Sequence, residues 1–172
     1  MTKGVSRSQR RPVNGGRRQA ILRQRFLFNN LTLSVVDGAP GYGSVVGFRL
    51  PEGNILLHGA GGYLTLTTSD ADITATFDGD ISIGTGSTSD GTLSGAEINL
   101  VASTPLGAAT AKVSPSVRLM SATANNGVIH DNTANDLNFY LNLLIDDAAI
   151  SGAADFLVNG YMEVVYTILG DD

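Results

Sequence analysis

Eight basic residues stand in the first 25 positions: Lys3, Arg7, Arg10, Arg11, Arg17, Arg18, Arg23 and Arg25. No Asp or Glu precedes Asp37. A guanidinium is a planar fork that binds two oxygens of a phosphate or carboxylate at once. Arginines at this density point to an anionic partner. One such partner is nucleic acid, bound through counterion release. Another is the acidic surface of a neighbouring protein, either a like subunit or a different shell protein. A solvated tail with no partner is the third reading. Residues 26–172 hold 3 basic and 16 acidic groups, a net −13 against +8 for residues 1–25. A body so acidic repels a nucleic acid backbone. Any such contact is therefore expected from the arm.

The remaining candidate chemistries are thin. Asp70/Asp72, Asp78/Asp80, Asp146/Asp147 and Asp171/Asp172 offer carboxylates of the kind Ca²⁺ takes, but none follows the ligand spacing of an EF-hand loop. Asp is favoured in turns for backbone reasons alone. His58 and His130 are far apart and have no neighbouring ligand pattern for zinc. There is no cysteine, hence no disulfide framework and no thiolate site. No G-x-S-x-G elbow is present. A carboxylate pair for sugar hydrolysis fits any β-sandwich, but Trp is absent and aromatics are 6% of the chain, so a sugar platform is not evident. Gly59-Ala60-Gly61-Gly62 and Gly84-Thr85-Gly86 lack the lysine of a phosphate-binding loop and read as strand bulges and turns. The expectation is a protein that is not an enzyme and needs no metal or cofactor.

The elements that carry these residues read as β. Leu137, Phe139, Leu141, Leu143 and Ile145 alternate with Asn138, Tyr140 and Asn142, which predicts a strand with one dry and one wet face. Asp146, Asp147, Ser151 and Gly152 then turn the chain into a second strand over 156–169, forming a final hairpin. Upstream, the pattern predicts strands near 31–35, 44–50, 55–58 and 63–67. Residues 73–77 and 81–84 read as a tight hairpin about Asp78-Gly79. Residues 92–101 and 113–120 read as further strands, with a short helix or crossing loop over 102–111. Residues 20–28 dock the arm, as a helical turn or as the lead-in to the first strand. The sum is about eight to ten short antiparallel strands. That number indicates a β-sandwich or jelly roll, with a closed barrel as second choice.

Residues 1–19 are too polar to bury enough surface to order themselves and read as a flexible arm. The division is a basic arm, 1–25, and one β domain, 26–172. The chain has no run of the ~18 apolar residues that cross a bilayer, and its start lacks the apolar core of a secretory signal. No membrane partner is expected, and synthesis in the cytoplasm is.

Three stretches go further than pattern. Residues 41–60 (GYGSVVGFRLPEGNILLHGA), 75–85 (ATFDGDISIGT) and 125–152 (including NNGVIHD and ANDLNFYLNLLIDDA) resemble small all-β head proteins of tailed bacteriophages, of the capsid decoration or cement type. The resemblance spans about residues 30–169 and leaves out the arm. It implies a virion structural protein that stabilises the phage head by bridging neighbouring capsid subunits. The implied partners are the major capsid protein and copies of itself, as a trimer or dimer, and the implied location is the capsid. Arg7, Arg10, Arg11, Arg17, Arg18, Arg23 and Arg25 are the candidate partner-binding residues, with Tyr140, Tyr161 and Tyr166 as possible contact residues. The alternative is a capsid coat or internal protein whose arm binds packaged nucleic acid.

Overall fold

In the computed structural model, which describes residues 20–122, 126–132 and 137–170, the alternating segments form nine antiparallel strands. They are β1 (Leu22–Val36), β2 (Gly41–Leu50), β3 (Gly53–Thr67), β4 (Gly79–Gly84), β5 (Val101–Pro105), β6 (Val117–Met120), β7 (Ile129–Asn132), β8 (Leu137–Ile145) and β9 (Ala154–Gly170). The expected all-β fold is borne out.

Pairing is nested. β1 pairs β9, β2 pairs β8, β3 pairs β6, and β4 pairs β5. A long antiparallel ribbon rolled on itself pairs in this way, and the result is a jelly roll. The sheet order β5–β4–β8–β2–β1–β9–β3–β6 divides at its centre, and β7 adds to β3 beyond β6. There β1 and β2 share two residue pairs, Val35 with Gly43 and Val36 with Tyr42. Gly43 lets the backbones meet at this corner, since a Cβ on it would lie 2.1 Å from the Ser34 carbonyl oxygen. The two halves then face each other across one core. On the far side an isolated bridge between Val101 and Ser121 brings β5 to β6 and nearly closes the barrel.

The core is apolar and filled. Phe77, Phe139, Phe156, Leu33, Ile55, Leu64, Ile81 and Ile83 are fully buried. Phe26 of β1 stacks on Phe48 of β2, and Phe48 on its cross-strand partner Phe139, with ring centroids 4.5 and 4.9 Å apart. Phe77 meets Phe156 edge-on at 5.1 Å, one of the favoured geometries for aromatic pairs.

Several local expectations need correction. The final hairpin does not exist as a pair, because β2 and β1 lie between β8 and β9 in the sheet. Long-range pairing overrides the short connection. Residues 73–77 are not a strand. Ile73 makes one isolated bridge to Ile150, and Asp78-Gly79 leads directly into β4, which pairs β5 and β8 instead. In place of a strand over 92–101 there is a 3-10 turn at Gly95–Glu97, and β5 starts only at Val101. No helix forms over 102–111. Strands β1, β3 and β9 run 15, 15 and 17 residues, so the sheet is not built of short strands alone. β3 passes through the glycine stretch with a register shift between Leu57 and Gly59. β1 begins at Leu22, so Arg23 and Arg25 belong to the sheet and the body starts before residue 26.

Candidate interaction face

The two layers differ on their outer faces. On the β2–β8–β4–β5 layer, the loop over 85–100 covers the surface. Asn142 of β8 fastens it: its Oδ1 accepts from the Thr88 amide at 2.9 Å, and its Nδ2 donates to the Gly86 and Glu97 carbonyls at 3.0 Å each. Asn142 is fully buried as a result. Among the described residues no segment covers the β1–β9–β3–β6 layer in this way, and side chains alternate outward from all four strands.

The registers lay these outward residues on a grid. One row runs Arg23 (β1), Val165 (β9), Gly59 (β3). The next runs Arg25, Glu163, Gly61, Met120. The third runs Leu27, Tyr161, Tyr63, Arg118. Leu27 is 74% exposed, Met120 55% and Tyr63 44%. The Tyr63 and Tyr161 rings sit side by side, centroids 6.2 Å apart and tilted by 56°. The Arg25 guanidinium lies 4.6 Å over the Tyr161 ring, a cation–π contact. A recess of about 380 Å³ opens between the rows, lined by Arg23, Arg118, Tyr63, Tyr161, Met120 and Glu163 and floored by Gly59 and Gly61.

Charge on this face is positive. Glu163 accepts from both Arg23 and Arg25; their Nε atoms lie 3.0 and 2.7 Å from its two carboxylate oxygens. Those hydrogen bonds, Arg23 first, hold the Glu163 carboxyl below its ordinary range, and the same contact raises Arg23. Arg118 makes no ion pair among the described residues. Three arginines against one glutamate leave the face at +2.

The acids gather elsewhere. Val35 pairs with Ala154, Gly41 with Ile145, and Gly79 with Ile145, which brings the ends of β1 and β8 and the starts of β2, β4 and β9 to one pole. Asp37, Asp70, Asp72, Asp78, Asp80, Asp146, Asp147 and Asp155 lie at that pole or in its loops. Asp146 is exposed, yet the desolvation it does suffer, then the charges of Asp78 and Asp80, raise its carboxyl above the usual value. The chain enters β1 at the other pole, where Leu22 pairs with Tyr166.

Of the candidate arginines, Arg7, Arg10, Arg11, Arg17 and Arg18 lie outside the described residues. Arg23 and Arg25 are brought together on the open face. Of the candidate tyrosines Tyr140, Tyr161 and Tyr166, only Tyr161 is on it. Tyr166 is buried and donates its hydroxyl to Gln24 at 2.9 Å, and Tyr140 is half-buried on the other layer. Arg118, Tyr63, Met120 and Leu27 were not legible as site residues, because only strand pairing makes them neighbours. His58 accepts from or donates to Thr167 Oγ1 at 2.8 Å, and His130 is half-buried against Phe139. Among the described residues no group of three His, Asp or Glu is placed to hold a metal ion, and no helix is long and apolar enough to cross a membrane.

No protein-family model matches the chain, and no curated protein does. Among solved structures, the chain is similar to a chain in the structure of infectious bursal disease virus, Gx strain, at 12% identity and a TM-score of 0.44. The match covers 89% of this chain and 34% of that one, so this chain spans about a third of its length.

Proposed function

We propose that this protein is a structural component of a virion, a jelly-roll subunit that packs in or on a protein shell. The observation that supports it is the nested strand path with a filled interior. Such a body has its recognition surfaces on the outside, and jelly rolls are a recurrent architecture of capsid proteins. Fold alone does not assign function; the distribution of charge adds the second support. A basic face stands away from an acidic pole, a polarity suited to joining subunits, and the sequence ahead of β1 adds six more cations in residues 1–19.

The finer reading is a capsid decoration or cement protein. In it, Arg7, Arg10, Arg11, Arg17 and Arg18 make charge-assisted contacts to the major capsid protein, and the chain acts as a dimer or trimer in the assembled virion. A second reading, a coat or internal protein in contact with packaged nucleic acid, draws support from the continuity of the arm with the arginine-bearing face. Cryo-electron microscopy of the particles made alongside this protein tests both. Density on the outer shell supports decoration, density beneath the shell supports the second reading, and absence from purified particles refutes the virion role. Deleting residues 1–19 is expected to lower occupancy on particles; undiminished occupancy removes the arm from the clamp.

A further inference from the structure

The geometry points to the open face of β1–β9–β3–β6 as a binding platform for single-stranded nucleic acid, with Tyr63 and Tyr161 as stacking rings and Arg118, Arg25 and Arg23 as phosphate contacts. The proposal does not depend on the shell role. It concerns the folded sheet rather than the arm.

Three observations carry it. The first is the paired rings. Tyr63 and Tyr161 stand in one row of the grid, on adjacent strands; Tyr63 is exposed, and Tyr161 is half-buried with the Arg25 guanidinium over its ring. Aromatics on the outer face of a sheet are a common way to hold single strands, since every base has a face to stack. The grid spans three strand gaps and two row gaps, about 14 Å each way, which accommodates about two stacked bases.

The second is the floor. Gly59 and Gly61 do not need to be glycine for the fold. Neither has a positive φ. Among the described residues, a Cβ on Gly61 would meet nothing nearer than 3.6 Å, and one on Gly59 nothing nearer than 3.5 Å, which is ordinary contact. Glycine in a strand interior costs stability, and here no packing requires it. What the two glycines provide is the recess itself, open backbone between Arg23 and Glu163 on one side and Met120 and Arg118 on the other.

The third is the charge. The face is at +2, and the sequence that precedes β1 holds six more cations in residues 1–19. Two like copies meeting through this face would repel, so the occupant is an anion. The body's net charge alone argues against nucleic acid, but half of its 16 acidic groups sit at the opposite pole. The distribution, and not the sum, sets the potential at the sheet. Flat rings beside guanidinium groups favour an anion that carries bases over an acidic peptide, which has nothing to stack.

The test uses the full chain and short fluorescein-labelled oligothymidine and oligouridine, read by anisotropy at low and physiological salt. Gly61→Val fills the recess with a good strand former. It is expected to weaken binding by about tenfold or more while leaving the melting temperature unchanged or higher. Tyr63→Ala with Tyr161→Ala is expected to do the same, by about tenfold per lost stack. Glu163→Gln is expected to tighten binding several-fold. Failure of the parent chain to bind at low salt overturns the proposal. So does equal binding by the parent, Gly61→Val and the double tyrosine variant, which would leave the arm as sole contact. Displacement of the oligonucleotide by polyglutamate at equal charge concentration also overturns it, in favour of an acidic protein partner.

Discussion

Replacing Asn142 by leucine removes the fastening of the 85–100 loop while keeping the number and branching of side-chain heavy atoms. The magnitude follows from the hydrogen bonds lost. The Thr88 amide loses its acceptor and the Gly86 carbonyl its donor, whereas the Glu97 carbonyl keeps the Ser82 hydroxyl at 2.9 Å. Two backbone groups are orphaned, the Thr88 amide buried and the Gly86 carbonyl half-buried, at about 1–3 kcal/mol each. Water reaching the loosened loop recovers part of that, so the net loss is ~3 kcal/mol. For a domain of this size, that lowers the melting temperature by about 6–12 °C. Thermal unfolding by circular dichroism measures it, and hydrogen exchange over residues 85–100 localises it, since the loop amides should lose protection before the sheet does. A variant that melts within about a degree of the parent, with loop amides still protected, would refute the reasoning. It would mean that the loop is held by its other contacts, such as Leu100 N to the Ile83 carbonyl at 3.0 Å.

Two other substitutions probe the same physics. Gly160→Ala is expected to cost ~2–4 kcal/mol, read as a fall in the denaturant midpoint, because φ there is +138° and a Cβ would lie 2.1 Å from the Tyr63 carbonyl oxygen; Gly61→Ala, one strand away, is expected to cost almost nothing. Asp146→Asn is expected to raise the melting temperature at neutral pH. The raised carboxyl means that the folded state binds the proton more readily than the unfolded chain, so the penalty exists above the folded value and fades as pH falls through it toward 3.8. Parent and variant should therefore converge in acid, and the gap should shrink with salt because Asp146 is exposed. A gap independent of pH would show that charge is not its cause.

Much of the architecture was legible because burial imposes a period on the sequence. Of the dry positions of β8, Phe139, Leu141, Leu143 and Ile145 are fully buried and Leu137, at the strand's start, is half-buried. The wet positions were read less well. Asn142 has the polarity of a solvent-facing residue, yet it is buried, because a loop more than 40 residues away in sequence folds over it. Local pattern records which residues alternate; it carries no record of what later covers them.

Composition and period by themselves determined an all-β body of about the observed number of strands and the segregation of positive charge at the N-terminus, since both depend on residue type and spacing alone. Tertiary structure decided the partners of each strand. The last two strands read as a hairpin, but pairing between distant segments inserted β1 and β2 between them and rolled the ribbon into a jelly roll. It also decided the candidate face. Arg23, Tyr63, Arg118 and Tyr161 lie on four different strands and become neighbours only through cross-strand register, a long-range property that no window of sequence contains.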